Sequence, residues 1–321
     1  MSSPAVSVII PAYKVTEFIA ETLDSVRAQT FRDFETIVVN DGCPDTENLE
    51  RVLEPYRREI VYLKQENQGL SGARNTGIRA ARAPLVALLD SDDLWEPEYL
   101  EIQTRMLAEH PEADVVYPNA LFFGPSTYEG KTMMDIFPSR GEVTLQSLLR
   151  RECQVFVSIT GRRETLLRSG LFDPQLRSAE DLDMWLRLAA SGVRFVYHTR
   201  PLARYRCREN PTANLSNDPI WMGNSILKVY EKLRSSTVLN PDDRACLEDA
   251  IRRERATVDF FLGKKALWAG NRREALEKFK QANAVLQRRK ISATILGLRF
   301  APQLLTWYVH RHYASEYAFL H

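Results

Sequence analysis

An α/β fold is predicted: a Rossmann-like sheet with helices on both faces, followed by a C-terminal helical appendage. Three observations carry this reading. Short β-branched apolar runs alternate with stretches of helical spacing, each run ends in polar residues, and the composition turns helical beyond about residue 220. Strands that alternate with helices build parallel sheets buried on both faces, and their strands read as continuous apolar runs.

The elements follow in order. Val6 to Ile10 is a β-branched run that Pro11-Ala12-Tyr13 breaks, and residues 16–28 carry Phe18, Ile19, Leu23 and Val26 at helical spacing. A second strand over 34–39 ends in Asn40-Asp41-Gly42, a helix fits 46–56, and a third strand fits 60–63. Residues 71–81 read as a helix. Residues 85–89 make the fourth strand, with Pro84 at its start. Downstream, 155–160 and 193–197 read as strands, 162–168 and 178–189 as helices, and 121–140 as a loop rich in Gly, Pro and Ser.

In open α/β sheets ligands occupy the crevice beyond the carboxyl ends of the strands. That is where the polar residues of this chain fall: Pro11-Ala12-Tyr13, Asp41, residues 65–68, and Asp90-Ser91-Asp92-Asp93. Three carboxylates within four positions repel one another, so they form either a solvated turn or a site for a hard cation with oxygen ligands. Neither G-x-G-x-x-G after the first strand nor G-x-x-x-x-G-K-[ST] occurs, which argues against a dinucleotide dehydrogenase and a P-loop nucleotidase. The formal net charge of +1 points to no nucleic-acid partner. The four cysteines are scattered and no leader-type segment opens the chain, so a reducing cytoplasm is expected.

Four blocks in sequence resemble family 2 of the inverting glycosyltransferases: Val6-Ser7-Val8-Ile9-Ile10-Pro11-Ala12-Tyr13, Val38-Val39-Asn40-Asp41-Gly42, residues 67–77, and Leu88-Leu89-Asp90-Ser91-Asp92-Asp93. The resemblance covers roughly residues 5–210 and implies the GT-A fold, a mixed sheet. It also implies a nucleotide-diphosphate sugar donor, UDP in first place, with Mn2+ or Mg2+. By the same resemblance Pro11, Ala12 and Tyr13 line the base, Asp41 accepts from the base edge, and Gln68, Arg74, Asp90 and Ser91 belong to the nucleotide site. Asp92, with Asp90, holds the metal. The chemistry agrees, since an aromatic face stacks on a base and an acceptor-only carboxylate suits an imide N–H. Arg74 either contacts the base or is a structural partner of Asp41 or Asp90.

The helix at 178–189 opens with Glu180, Asp181 and Asp183. Acids favour a helix N-terminus, so capping alone accounts for them physically. The resemblance places the catalytic base here, and Asp181 is the choice, with Glu180 the alternative. The two diverge by about 100° around the helix, so they cannot serve one spot together. Trp185, four residues on, is expected to wall the acceptor pocket. Tyr205, Arg206 and Arg208 are expected to serve the acceptor or pyrophosphate loop, with residues 202–206 leading into it and the loop itself over 207–217. Many relatives carry a His where Arg208 stands; a guanidinium cannot ligate a metal but pairs with phosphate, so Arg208 stands in for part of the cation's charge or leaves it to carboxylate, phosphate and water.

The domains expected are 1–217, with a nucleotide-sugar half at 5–118 and an acceptor half at 119–217, and a helical region at 218–321. Residues 256–284 read as a helical hairpin around Gly270-Asn271. Residues 251–290 hold twelve Lys and Arg against four Asp and Glu, and Leu305, Val309, Tyr313 and Tyr317 form an apolar-aromatic stripe near Trp307. That tail suits an anionic membrane surface, a homodimer or core packing. The expected partners are a nucleotide sugar and a hydroxyl acceptor on a glycan or lipid. A catalytically inactive glycan-binding module is the other class that fits, and a sugar-phosphate nucleotidyltransferase is disfavoured because no Gly-rich loop follows the first strand.

Overall fold

The structure, a computed structural model, describes residues 3–126, 128–208, 218–304 and 311. Two compact units divide the chain, Met1–Glu209 and Asn210–His321.

The first unit opens with β1 (Val6–Ala12), α1 (Ile19–Arg27), β2 (Phe34–Asp41), α2 (Thr46–Leu53) with a 3-10 turn at Glu54–Tyr56, β3 (Ile60–Gln65), α3 (Gly69–Ala80) and β4 (Leu85–Leu88). These strands pair in the order β3-β2-β1-β4, all parallel. The period of two along β1 explains how helices cover both faces. Val6, Val8 and Ile10 join one core with Ile19, Leu23 and Val26 of α1 and Leu49 and Leu53 of α2. Ile9 faces the other way, onto α3. There Gly77 lets the helix approach so closely that an added Cβ would lie 2.3 Å from Ile9 Cγ2.

The unit continues with β5 (Leu94–Trp95), α4 (Tyr99–Glu109), β6 (Val115–Phe123), α5 (Met133–Ile136), α6 (Leu145–Leu149), β7 (Thr160–Arg162), α7 (Arg163–Arg168), α8 (Glu180–Ala190) and β8 (Phe195–Arg206). They extend the sheet as β4-β7-β6-β8-β5. Strand β7 runs antiparallel to β4 and β6, β8 parallel to β6, and β5 antiparallel to β8. The result is an eight-stranded mixed sheet.

Several boundaries differ from the sequence expectation. Strand β1 continues through Pro11 and Ala12, which stay in register with Val39 and Asn40. The Ile9 carbonyl faces β4, accepting from the Leu89 N–H at 3.1 Å, and Pro11 faces the same side two residues on. The ladder to β4 has ended there at Ile9 and Leu88, so proline's missing donor costs no ladder bond. Residues 155–159 form no regular element, although Val155, Phe156, Val157 and Ile159 are buried. Their apolarity reflects burial and not strand pairing. Strand β6 enters the expected loop, and the chain folds back on it, with the Phe122 N–H donating to the Lys131 carbonyl at 2.9 Å. Helix α5 then begins at a reciprocal Thr132 and Asp135 cap. Finally, Asp93 leads into β5, and Tyr205 and Arg206 belong to β8.

The second unit contains α9 (Pro219–Ser236), α10 (Pro241–Trp268), α11 (Arg272–Leu286) and α12 (Arg289–Phe300). The α10–α11 hairpin turns at Gly270, whose φ of +77° only glycine adopts cheaply, and Asn271 caps α11 by accepting from the Glu274 N–H. Ala266, Leu267, Ala275, Phe279, Ile291 and Leu298 form its core. Leu305, Trp307, Val309, Tyr313 and Tyr317 lie outside the described residues. No helix among the described residues is long and apolar enough to cross a membrane.

Gly77→Ala is expected to destabilise the protein by about 2 kcal/mol, because the methyl must push α3 off β1. Urea unfolding checks this, and an unchanged midpoint would show that the interface yields freely.

Candidate active site

Two groups of side chains gather at the carboxyl ends of the parallel strands. The first surrounds Asp41 at the end of β2, which is 2% exposed. Its Oδ1 accepts from Gln65 Nε2 at 2.7 Å and from the backbone N–H of Gln68 at 2.8 Å, and its carbonyl accepts from Asn67 Nδ2 at 2.9 Å. Gly42 makes that crossing possible: its φ is +63°, and a Cβ there would meet the Asn67 nitrogen at 2.8 Å. Beyond β1, Tyr13 is 42% exposed and Lys14 takes a left-handed turn at φ 54°. The Lys14 ammonium lies 5.3 Å from the Tyr13 ring centre. An exposed ring therefore stands just beyond β1, while Pro11 and Ala12 are buried in the strand.

The second group is built on the acidic turn. The Asp93 N–H donates to the Asp90 carbonyl at 3.0 Å, which closes the turn between β4 and β5. Asp93 is 3% exposed and accepts from the Arg206 backbone N–H at 2.9 Å. Burial, and then the charges of Asp92 and Asp90, hold its carboxyl well above the usual carboxylate range. Asp92 is raised in the same way, by burial and then by Asp90, with Arg208 opposing. The Arg208 guanidinium donates twice to Asp92 Oδ2. Ser91 is buried in the same turn.

Arg74 joins this turn to α8. Its side chain comes from the middle of α3, is 1% exposed, and donates to Asp90 Oδ1 at 2.6 Å and to Glu180 Oε1 at 2.8 Å. The neighbouring Asn75 makes a second tie, donating to the Phe172 carbonyl at 2.7 Å and accepting from the Phe172 N–H at 3.0 Å. The α3 helix therefore holds both the end of β4 and the approach to α8. Just before α8, Ala179 has a left-handed φ of 55°, a strained setting for a residue with a Cβ.

The three acids of the first turn of α8 have separate surroundings. Glu180 pairs with Arg74 and Asp183 with Arg187. Asp181 has no ion pair among the described residues; its Oδ1 accepts from the Leu182 N–H at 2.7 Å. Burial, and then the adjacent Glu180 charge, push its carboxyl up to about 6, with Arg74 pulling the other way.

Several expected roles change with these placements. Of the two roles expected for Arg74, the geometry matches the structural partner of Asp90, and it adds Glu180 as a second partner. Trp185, expected at the acceptor pocket, is 2% exposed with its ring edge-on to Phe172 and Phe195, so it packs as a core side chain. Tyr205 is half-buried, edge-on to Phe122 and Phe156. The outer part of the expected loop, 209–217, lies outside the described residues. No group of three metal-ligating side chains occurs among the described residues. Asp90 and Asp92 still suit a divalent cation, since their mutual repulsion in a partly desolvated turn is what a cation relieves, and phosphate and water oxygens can complete its shell.

The chain is 32% identical over 226 residues to an uncharacterized glycosyltransferase of Rickettsia typhi, covering 66% of this chain and 67% of that one. The model of the glycosyl transferase family 2 matches residues 7–165, which span every strand end described above from β1 to β4. The chain belongs to glycosyl transferase family 2. Another relative, a glycosyltransferase of Rickettsia bellii, is longer: 195 residues align at 29% identity, and the chain spans 27% of its length. Among solved structures, the family 2 chain resembles TarS 1-349 of S. aureus in complex with UDP-GlcNAc, with a TM-score of 0.63 at 18% identity over 97% of this chain and 92% of that one. It also resembles the mannosyltransferase PcManGT from Pyrobaculum calidifontis in complex with GDP-Man and Mn2+, with a TM-score of 0.64 at 18% identity over 100% and 86%. The fold of this glycosyltransferase is accordingly of the GT-A type.

The Asp90 half of the Arg74 bridge was among the expected alternatives, and the Glu180 half was not, because Glu180 lies 106 residues away. The only local signal was an Arg-Asn pair on a helix that points at strand ends. Arg74→Gln is expected to destabilise the protein by about 3 kcal/mol, since it leaves two largely buried carboxylates without their cation. Urea unfolding at neutral pH measures it. A loss below about 0.5 kcal/mol, the level of an ordinary surface change, would contradict the bridge.

Proposed function

We propose that this glycosyltransferase is inverting and transfers a sugar from a nucleotide-diphosphate donor, of the UDP-sugar class, to an acceptor hydroxyl in glycan or glycolipid synthesis. The observation that carries the reading is Asp181, a carboxyl with no ion pair among the described residues, at the start of a helix that Arg74 ties to the acidic turn. Glu180, the alternative base, is engaged by Arg74. Asp181 takes the proton of the acceptor hydroxyl as that oxygen bonds to the anomeric carbon, and the bond from that carbon to the diphosphate oxygen breaks on the opposite face.

The other residues take roles on the donor. Tyr13 offers a face to the base, and Asp41 an acceptor to an imide N–H, which favours uracil. Gln68 sits beside Asp41 through its backbone N–H. Asp92 and Asp90 would hold Mn2+ or Mg2+, which supplies charge compensation for the departing diphosphate. Arg206 and Arg208 bring positive charge to the same side. The UDP-GlcNAc and GDP-Man complexes of the two structural neighbours support a nucleotide-sugar donor, and the Mn2+ in one supports a metal.

A panel of nucleotide sugars with Mn2+ or Mg2+, scored by nucleoside diphosphate release, tests this reading. Release is expected from a UDP-sugar, and Asp181→Asn should lower kcat by about 10²–10⁴. Binding without release from any donor would favour the inactive glycan-binding module. The activity of the wild type should rise with pH through about 6, as Asp181 ionises. The same carboxyl has a stability consequence. Its folded value lies above the ordinary 3.8, so its contribution is full below about pH 4 and is lost as pH rises through about 6. Asp181→Asn should therefore raise Tm at pH 7 while removing transfer, and a lowered Tm would contradict the desolvated carboxylate.

A membrane-facing acceptor is supported by α12. Leu296 and Phe300, four apart on this helix, are 54% and 81% exposed, Leu304 beyond its end is 64% exposed, and Arg288, Arg289 and Lys290 stand at the start of the helix. Vesicles of phosphatidylglycerol should sediment the protein and Phe300→Asp should weaken this. Equal sedimentation of the two proteins would remove α12 from the contact.

A further inference from the structure

Three arginines, Arg204, Arg206 and Arg208, occupy alternate positions at the end of β8 and just beyond it. Two phenylalanines from elsewhere in the unit stand between them. The Phe123 ring centre, at the end of β6, lies 4.9 Å from the Arg204 guanidinium carbon and 4.4 Å from that of Arg206. Phe18, at the start of α1, lies 4.9 Å from the guanidinium carbons of both Arg206 and Arg208. The middle rung is fixed: Arg206 donates from Nε to the Asp92 carbonyl at 2.7 Å, from its backbone to Asp93 Oδ1, and from its terminal nitrogen to Glu21. The stack delivers Arg208 to the Asp92 carboxylate, where both donations fall on one oxygen, Oδ2. The two side chains are 25% and 22% exposed, so water screens the pair only in part.

We propose that Arg208 is a built-in counter-cation of Asp92, which must leave the carboxylate before a divalent cation binds there and which then becomes available to the donor's diphosphate. This rests on the reading that Asp92 holds the metal. A guanidinium and a divalent cation cannot share one carboxylate at contact distance without strong repulsion, and a guanidinium cannot join a metal's ligand shell. It can, however, take two phosphate oxygens in a bidentate pair. The Phe18 face gives the displaced guanidinium a surface over which to shift, because a cation–π contact tolerates lateral movement better than a hydrogen bond does. In this arrangement Arg208 lowers metal affinity when no donor is present and raises diphosphate affinity, which couples the two ligands through one side chain.

Titration of Mn2+ into the donor-free full chain, followed by the electron paramagnetic resonance of the free ion, reads this directly, with UDP binding at saturating Mn2+ as the second readout. Arg208→Gln is expected to bind Mn2+ roughly tenfold tighter than wild type and UDP roughly tenfold more weakly, each a change of about one decade. Arg208→Lys, which keeps the charge, should stay near wild type in Mn2+ affinity, and a gain as large as that of the Gln variant would overturn the proposal. Asp92→Asn distinguishes the two layers of the argument. If wild type and Arg208→Gln bind Mn2+ equally and Asp92→Asn binds none, the metal reading stands and the counter-cation falls. If none of them binds Mn2+, even with UDP present, the metal reading fails and takes this proposal with it.

Discussion

A guanidinium with 1% of its surface exposed holds the first unit's chemistry together. Arg74 reaches Asp90, at the end of a parallel strand, and Glu180, at the start of a helix more than a hundred residues later. A buried positive charge is tolerable only with its counter-charges in place, so the bridge constrains both segments at once. Asn75 repeats the constraint through the backbone of Phe172. Gly77, one turn further along α3, lets that helix sit against β1 closely enough for both side chains to reach their targets.

The bridge also sorts the acids. Glu180 and Asp183 each have an arginine, while Asp181, between them, has burial and a like charge for a neighbour. Its carboxyl rises to about 6, which keeps it a base at neutral pH yet close enough to the working range to exchange a proton readily. At the end of β4 the acidic turn is largely desolvated, and Asp92 and Asp93 are both raised, by burial first and by the neighbouring carboxylates second. In the function proposed above, a carboxyl serving as base and an acidic turn able to take a cation are what an inverting transfer of a diphosphate-activated sugar requires. Stability is reduced at both places, as is common where function sets the side chains.

Much of this was legible from the sequence because the relevant signals are local. Apolar runs alternating with helical spacing give the parallel half of the sheet, and the acids at strand ends mark the crevice. The hairpin of the second unit was visible from Gly270-Asn271. What escaped depends on contacts between distant segments. An apolar run such as 155–159 looks like a strand whether it pairs or is only buried. Trp185, four residues from Asp181, looks like a pocket wall until Phe172 and Phe195 are seen to enclose it. Phe18 and Phe123 gave no sign of stacking on arginines from β8, since nothing in their own neighbourhoods records it. Pro11 suggested a strand end, and only the pairing on each side of β1 shows why proline fits within it.

The central claim is that Asp181 and the acidic turn act on opposite faces of the anomeric carbon. The anomeric configuration of the first product, read from the proton coupling of the transferred sugar by nuclear magnetic resonance, tests it most directly. With an α-linked UDP-sugar of gluco configuration as donor, the account predicts a β-linked product with the large vicinal coupling of two axial protons. A product that keeps the α linkage, formed in a single transfer, would contradict it.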